Sequence, residues 1–406
     1  MKTSISKWLM SAAIVLVGAG TASAQDKTVK IGNLTDMSGL YADVGGAGST
    51  VAAQMAIEDS GLAAKGWKIE VISADHQNKP DIGATTARQW IDVEKVDIIV
   101  DVLNSGVALA VNNVVKEKNA IMINTGAASS DLTNTQCTPN TIHWAYDTYM
   151  LANSTGQALV KAGGDTWFFL TADYAFGAAL ERDTTAVINK AGGKVLGGVK
   201  HPLNSSDFSS FLLQAQASKA KIVGLANAGG DTTNAIKQAS EFGIVSGGQK
   251  LAGLLLFLTD VHSLGLKVAQ GLNFTETFYW DTNDGTRAFA KRFSERAKNK
   301  AMPTMVQAGV YSGLIHYFKA LDALGGNPHD GVKIVEKMKS MPTDDPLFGK
   351  GEIQPNGRKI HPAYLFEVKK PSESKGPWDY YKLVGTVPAD QAFRPLSESV
   401  CSLVKK

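Results

Sequence analysis

The chain has 406 residues, of which 44% are apolar and 19% are charged, and its formal net charge is +3. This composition is that of an ordinary globular protein. The near-neutral charge excludes a strong electrostatic attraction to nucleic acid or to anionic lipid, so neither is an expected partner.

The first 24 residues have the features of an export signal. Lys2 and Lys7 are positively charged, residues 8–20 are apolar, and Ala22 and Ala24 give the small-x-small pattern that signal peptidase accepts. The alternative is a membrane anchor, but the apolar run is shorter than the roughly 20 residues that a spanning helix needs. We therefore expect cleavage after Ala24 and a periplasmic protein. Its remaining 382 residues (406 minus 24) are enough for two lobes.

Short apolar runs alternate with segments of helical spacing over the next 230 residues or so. The predicted strands are residues 29–34, 67–74, 96–102, 120–124, 166–170, 194–200, 221–226 and 251–257. This βαβ alternation predicts parallel sheets covered by helices. An aromatic segment, residues 141–150, interrupts the series once, so we predict two similar α/β lobes in tandem.

The last third of the chain has a different pattern. Helices are predicted at 285–300, 305–324 and 331–340, followed by a turn-rich run at 346–358 and a strand at 363–368. If the helices return to the first lobe and the last strand to the second, the chain crosses between lobes three times. The predicted fold is α/β, with two doubly wound parallel-sheet lobes joined by a three-strand hinge. The predicted units are 27–144 with 280–345 (lobe 1), 145–279 with 346–382 (lobe 2) and a C-terminal tail at 383–406.

The chain has two cysteines, Cys137 and Cys401. In an oxidising compartment an even pair favours a disulfide bond. The alternative is two unrelated thiols, since neither lies in a CxxC motif or beside a histidine that would indicate redox or nucleophilic chemistry.

Several motifs at the ends of the predicted strands resemble those of Leu/Ile/Val-type periplasmic binding proteins. The matching segments are 36–39 (DMSG) with Tyr41 and Gly45-Gly46, 57–59 (IED), 75–77 (DHQ) with Pro80, 104–106 (NSG), 124–133 (NTGAASSDLT) and 173–177 (DYAFG). The resemblance extends from about residue 29 to 366. It implies a non-enzymatic two-lobed receptor that closes on a solute and delivers it to an ABC permease.

Two loops of the first lobe are predicted to hold a carboxylate. Ser105 follows a strand and begins a helix, where free backbone N–H groups and the helix dipole favour an anion. The resemblance assigns this role to Ser105 and to residues 126–128 (Gly126, Ala127 and Ala128). Asn104 and Ser129 lie beside them. The alternative is that these serines only cap their helices.

The sequence departs from the family pattern at the residues that would bind the ammonium end of an amino-acid ligand. The family's acidic partner for a ligand ammonium aligns with residues 253–257, which contain no carboxylate, and a family threonine aligns with Ala128. Leu255, Phe257, Phe176 and Tyr41 would form an apolar wall instead. We therefore predict an aromatic acid of the benzoate or phenylpropenoate type that lacks an α-ammonium group. For Phe257 and its neighbour Leu256, core packing remains an equal alternative.

Two other functions stay open. Asp231, which follows Asn227 after a strand of the second lobe, could replace the missing carboxylate, and the protein would then bind a branched-chain amino acid or an amide. A sensor domain of the same fold would pass the signal to a signalling partner.

Catalysis is not expected. The sequence lacks HExxH, GxxxxGK[ST] and GxSxG motifs, and its seven histidines are scattered. We expect no cofactor, no metal, a monomer, and transient contact with an ABC permease. Two aromatic clusters, 144–149 and 278–280, could either line the cleft mouth or pack the hinge.

Overall fold

The computed structural model describes residues 27–405, so the predicted export signal lies outside the described residues. The strands are β1 (Thr28–Thr35), β2 (Lys68–Asp75), β3 (Ile98–Asp101), β4 (Ile121–Asn124), β5 (Thr141–His143), β6 (Thr166–Ala172), β7 (Lys194–His201), β8 (Ile222–Ala226), β9 (Lys250–Gly253), β10 (Asn273–Glu276), β11 (Thr343–Asp345), β12 (Gly349–Ile353), β13 (Lys359–Ile360), β14 (Ala363–Val368) and β15 (Tyr381–Val387).

The helices cover both faces of the parallel sheets. They are α1 (Gly46–Asp59), α2 (Pro80–Asp92), α3 (Ser105–Lys118), α4 (Thr148–Leu151), α5 (Gln157–Lys161), α6 (Ala175–Lys190), α7 (Ser209–Ala217), α8 (Gly230–Glu241), α9 (Leu258–Leu264), α10 (Leu266–Ala269), α11 (Asp284–Arg296), α12 (Met305–Ala323), α13 (Gly331–Lys339) and α14 (Ala389–Ala392). One π-helical turn, Ala152–Gly156, joins α4 to α5. Within residues 27–405, no helix combines the length and the apolar character needed to cross a membrane.

Two parallel sheets confirm the predicted α/β class. The first has the strand order β2-β1-β3-β4-β5, and the second has the order β7-β6-β8-β9. Strands β3 and β4 are buried at every residue, whereas the edge strand β7 alternates between half-buried and exposed residues. Central parallel strands have helices on both faces, which explains why their sequences are continuous apolar runs. We call the first sheet with its helices the first lobe and the second sheet with its helices the second lobe.

The later helices pack on the first lobe. Helix α12 lies against α1, and Arg292 and Arg296 of α11 pair with Asp59 and Glu58 at the end of α1. Strand β14 then pairs antiparallel with β10 and β15 in a third sheet beside the second lobe.

Three regions differ from the sequence prediction. Strand β9 ends at Gly253, so the predicted strand 251–257 ends in a loop that leads into α9. The turn-rich run 346–358, predicted in lobe 2, contains β12 and lies at the edge of the first sheet, where the His143 amide donates to the Gly357 carbonyl (2.9 Å). The predicted tail begins inside β15, because residues 383–387 complete the third sheet.

Arg358 links the crossing segments. Its buried guanidinium donates to the carbonyls of Trp144 and Tyr146 (2.9 Å each) and lies 3.5 Å from the Asp147 carboxylate. The same group lies 4.5 Å from the ring centre of Phe393, in the C-terminal segment. The third crossing and the C-terminal segment are therefore both fastened to the first crossing.

The aromatic clusters divide between hinge and cleft. Trp144, Phe278 and Tyr279 are buried in hydrophobic cores. Tyr149 lies under the Arg394 guanidinium (4.4 Å) of the C-terminal segment. Tyr146 lines the cavity described below.

The predicted disulfide bond between Cys137 and Cys401 is confirmed. It joins a loop of the first lobe to the segment that follows β15. This segment also contacts the second lobe, because Arg394 lies 3.5 Å from Asp183 of α6.

Candidate ligand-binding site

A small cavity lies between the two lobes, beyond the carboxyl ends of the parallel strands. Ligands of open α/β sheets bind in this position. The cavity has a volume of only about 10 Å³, roughly the space of one water molecule and far below the range of about 300–1,000 Å³ for ligand pockets, because the lining side chains nearly fill it. It is lined by Tyr41, Leu103, Ser105, Gly126, Ala128, Tyr146, Tyr174, Phe176, Ala228, Leu255 and Phe257. Larger surface grooves lie elsewhere, one on the second lobe and one beside the C-terminal segment.

Seven of the twelve predicted ligand-binding residues meet in this cavity: Tyr41, Ser105, Gly126, Ala128, Phe176, Leu255 and Phe257. They come from both lobes and are all buried; Phe176, for example, is only 2% exposed. The lobes are therefore closed around the cavity.

Tyrosine hydroxyls connect the lobes across the cavity. The hydroxyls of Tyr41, in the first lobe, and Tyr174, in the second, are 2.6 Å apart. Tyr41 is held in place because its backbone amide donates to the carboxylate of Asp36 (2.9 Å), which also accepts from Gly39. Burial and the neighbouring Tyr174 raise the pKa of Tyr41 well above its usual value, so both groups are neutral phenols at physiological pH.

Ser105 is not the cap of helix α3. That role belongs to Asn104, whose side-chain oxygen accepts from the amides of Gly106 (2.9 Å) and Val107 (3.2 Å). Ser105 Oγ instead accepts from the Ser129 amide (3.1 Å). Because this bond occupies an acceptor site of the hydroxyl, the hydroxyl proton is left to donate into the cavity.

Most of the backbone amides in the two loops predicted to hold a carboxylate already donate hydrogen bonds within the protein. Besides Gly106 and Ser129, the Gly126 amide donates to the Asp101 carbonyl and the Ala127 amide donates to Asn124 Oδ1 (3.2 Å each). Among residues 27–405, the amides of Ser105 and Ala128 donate to no protein acceptor. The predicted anion site therefore has fewer free hydrogen-bond donors than expected: two backbone amides and the Ser105 hydroxyl.

The opposite wall is apolar. Leu255 and Phe257 follow β9, and Phe176 lies in the first turn of α6. The Phe257 ring packs edge-on against Tyr146 at 6.1 Å, and Phe176 lies 5.8 Å from Tyr174. Core packing was the alternative for both Leu256 and Phe257: Leu256 lies in the second-lobe core, and Phe257 both belongs to the large hydrophobic core and lines the cavity. Among the lining residues that the structure describes, none has a charged side chain.

Five predicted residues do not line the cavity: Asn104, Ala127, Ser129, Asn227 and Asp231. Asn227 is bonded to His201 and Thr232. Asp231 accepts from the amides of Asn204 (3.1 Å) and Ser205 (2.8 Å). Burial raises its pKa to about 6 even though these two bonds lower it. Asp231 therefore holds a loop of the second lobe and does not line the cavity.

Sequence reasoning missed four lining residues: Leu103, Tyr146, Tyr174 and Ala228. Tyr174 lies inside the motif 173–177, and Tyr146 lies in the aromatic crossing, so both carried a signal. Ala228 and Leu103 are apolar residues next to strand ends and are not distinguishable from core residues by type.

Comparison with known proteins places this site in a family. The family model described as "Periplasmic binding protein" matches residues 28–376. The chain belongs to this family. The Leu/Ile/Val-binding protein homolog 6 of Brucella abortus (strain 2308) is 25% identical over 367 residues, which are 88% of this chain and 92% of the homologue.

Solved structures agree with this assignment. A periplasmic binding protein from Burkholderia mallei is 54% identical, with a TM-score of 0.90, and covers 93% of this chain and 100% of its own. A branched-chain amino-acid ABC transporter periplasmic ligand-binding protein from Burkholderia xenovorans LB400 is 42% identical, with a TM-score of 0.82 and the same coverage.

A more distant ABC-transporter solute-binding protein shows the fold alone. It comes from R. palustris, was solved in complex with benzoate, and is 21% identical with a TM-score of 0.78 over 89% of this chain and 97% of its own. The fold is thus the type I periplasmic binding-protein fold. The family consists of periplasmic transport receptors that are not enzymes, and this chain is a solute-binding receptor of the ABC-transporter type.

Proposed function

We propose that this receptor binds a small aromatic carboxylate without an α-ammonium group, of the benzoate or phenylpropenoate type, and delivers it to an ABC permease. The observation that carries the proposal is the cavity lining. Among the described residues, the lining combines five aromatic side chains with two uncommitted amides and one serine hydroxyl, and none of its side chains is charged.

The carboxylate end of the ligand is assigned to Ser105 and Ala128. Their amides have no protein acceptor, and the Ser105 hydroxyl is oriented by the Ser129 amide (3.1 Å). Ser105 also begins the 14-residue helix α3, whose N-terminal end is favourable for an anion. These three donors can all be accepted by one carboxylate, whose two oxygens offer about four lone-pair sites.

The remainder of the ligand is assigned to the apolar wall. Phe176, Leu255 and Phe257 offer carbon surface on the second lobe. An ammonium group closed in among them would be a buried charge without a partner, at a cost of about 3 to 5 kcal/mol. An aromatic ring instead gains from burial against these side chains.

Proteins of this fold are described with two ligand classes. The R. palustris neighbour was solved with benzoate, and the B. xenovorans neighbour is described as a branched-chain amino-acid receptor. The second class requires a carboxylate for the ammonium. Asp231 is the candidate identified from sequence, but its two oxygens accept from Ser205 and Asn204 instead of facing the cavity.

Calorimetric titration of the purified mature protein with benzoate, p-coumarate and leucine tests the proposal. We expect the aromatic acids to bind and to raise the melting temperature in proportion to occupancy. Leucine is the matched control, since it has the carboxylate together with an α-ammonium. Binding of leucine without binding of either aromatic acid would refute the ligand assignment.

The processing and assembly of the receptor are also part of the proposal. We propose cleavage after Ala24, a monomeric mature protein, and lobes that hinge near residues 144–147, 277–283 and 360–363. The crossing positions are supported by β5, β10, β13 and β14, which end or begin beside them. Intact mass of the exported protein and light scattering test the first two points. A histidine-kinase gene beside this one, without a permease gene, would favour the sensor alternative.

A further inference from the structure

A buried carboxyl group lies directly beneath the loop that lines the cavity. Asp101, the last residue of β3, is fully buried. A Cβ atom added to Gly126 would be 2.4 Å from Asp101 Oδ1, and one added to Gly45 would be 2.5 Å from Oδ2. The carboxyl group therefore occupies the space that side chains at these two positions would need. Gly126 itself lines the cavity, so its backbone lies between this close contact and the cavity.

The surroundings of Asp101 are polar but incompletely bonded. Both of its carboxyl oxygens, Thr35 Oγ1 and Ser49 Oγ are buried; within the described part of the chain none of these atoms forms a hydrogen bond of ordinary geometry, although the two hydroxyls lie near enough to the carboxyl group to lower its pKa. A buried carboxylate without partners is costly, whereas a neutral carboxylic acid could donate its proton to either hydroxyl oxygen. The geometry thus favours binding of a proton at this position.

The groups around Asp101 do little to stabilise its ionised form. The Thr35 and Ser49 hydroxyls lower its pKa, and the Asp36 carboxylate at the end of β1 raises it; burial has the largest effect and brings the pKa to about 6. On the side of the cavity the titratable group is the neutral phenol of Tyr146, which donates to the Gly126 carbonyl. Among residues 27–405, no lysine, arginine or histidine acts on the carboxyl group.

We propose that Asp101 is a proton-binding site coupled to the solute site, so that an anionic solute and a proton on Asp101 are bound together. This inference rests on the proposed function, because it requires a carboxylate beside Ser105 and Ala128. A solute carboxylate on one side of Gly126 and an ionised Asp101 on the other would repel each other with little water between them. Taking up a proton removes this repulsion.

The coupling predicts a pH dependence of affinity. Above pH 6 the free protein loses the Asp101 proton while the complex retains it, so affinity falls as the pH rises. The dissociation constant of an acid that is itself fully ionised over this range rises by up to about tenfold per pH unit, the limit for one coupled proton.

Titration calorimetry with benzoate at pH 6, 7 and 8, in two buffers of different ionisation enthalpy, measures the number of protons bound. We expect uptake of about one proton per benzoate at pH 7 to 8 in the wild-type protein. The variant Asp101→Asn keeps the shape of the side chain without its charge. It should bind benzoate with no proton uptake and with a dissociation constant that does not change with pH.

The Ser49→Ala variant provides a second measurement if Asp101→Asn does not fold. Since the Ser49 hydroxyl lowers the pKa of Asp101, its removal should move the onset of the pH dependence to higher pH. Benzoate binding without proton uptake in the wild type, or uptake that persists in Asp101→Asn, overturns the coupling alone. Failure of every tested carboxylate to bind at any of these pH values overturns the proposed function, and the coupling with it.

Discussion

Asn104 caps helix α3 and Ser105 lines the cavity, two roles that the sequence alone could not assign to one residue or the other. Both residues have side chains suited to cap a helix, but the cap of α3 is Asn104, and its oxygen accepts from Gly106 and Val107. Ser105 is thereby left to accept from Ser129 and to donate into the cavity. A helix start with two polar residues in succession can thus serve both the fold and the ligand.

The Ser105→Ala variant tests this division. It removes one hydrogen bond to a charged group, which is worth about 1.5–3 kcal/mol. We expect about 10- to 100-fold weaker binding of the carboxylate ligand by calorimetry, with little change in the melting temperature. Ser129→Ala is the matched control, because the Ser129 amide that orients Ser105 remains. Equal losses in both variants would contradict the assigned role of the Ser105 hydroxyl.

At the residue scale, a buried lysine lowers the stability of the fold below its pKa and takes no part in the binding site. Lys359 Nζ is fully buried between the rings of Trp144 (4.8 Å) and Phe348 (4.6 Å) and has no hydrogen-bond partner among the described residues. Burial lowers its pKa to about 7, although Asp345 raises it. Because the unfolded chain keeps this proton up to about pH 10.5, folding becomes more favourable as the pH rises from 7.

The Lys359→Met variant should therefore be more stable than the wild type at pH 6, by about 1–4 kcal/mol. The difference should shrink by pH 9, where the folded wild type already has a neutral lysine. Urea unfolding at the two pH values measures it. The exposed Lys350→Met is the control and should show no such pH dependence. A variant that is less stable at pH 6 would show that the two aromatic rings compensate the buried charge.

At the scale of elements, the strand-to-helix loops of the first lobe define the site. The loop after β4 is tight because Gly126 is in close contact with the loop after β3: a Cβ atom would lie 2.4 Å from Asp101 Oδ1 and 2.7 Å from the Leu103 Cα. A clash with backbone cannot be relieved by a rotamer change, so the two loops hold each other in place.

We expect Gly126→Ala to displace this loop. The variant should lose about 1–3 kcal/mol of unfolding free energy through overpacking, and its ligand affinity should fall because the Ala128 amide moves with the loop. Gly253→Ala is a matched control at the end of β9, where the nearest atom to an added Cβ is Leu256 Cβ at 3.8 Å. Thermal unfolding and calorimetry should find the control close to the wild type.

At the scale of the whole molecule, closure depends on contacts between lobes that lie far apart in sequence. The Tyr41 and Tyr174 hydroxyls are separated by 133 residues and lie 2.6 Å apart. The Ser130 hydroxyl of the first lobe also donates to the carboxylate of Asp183, which lies in α6 of the second lobe (2.7 Å). The disulfide bond adds a covalent connection between the first lobe and the C-terminal segment.

Tyr174→Phe removes the tyrosine contact while keeping the ring. A net hydrogen bond is worth about 0.5–1.5 kcal/mol, so ligand affinity should fall about 2- to 10-fold. Small-angle scattering should show a larger radius of gyration at subsaturating ligand. In Tyr311→Phe the lost bond, to Asp59, lies within the first lobe, and affinity should be unchanged. Unchanged affinity in Tyr174→Phe would mean that this contact does not stabilise closure.

The sequence by itself determined the βαβ alternation of the two parallel sheets, the two-lobed fold, the disulfide pair and the loops that reach the cavity; it did not reveal the short strands β5, β10, β12, β13 and β15. The features that it determined depend on local periodicity, on glycines and polar residues at strand ends, and on a count of cysteines. The tertiary structure decided which side chains of those loops line the cavity. Tyr146 and Tyr174 line the cavity, Asp231 binds its own loop, and Asp101 lies beneath Gly126. The physical reason is that a side chain's partner depends on how distant elements pack, and a pattern along one strand or helix contains no information about that neighbour.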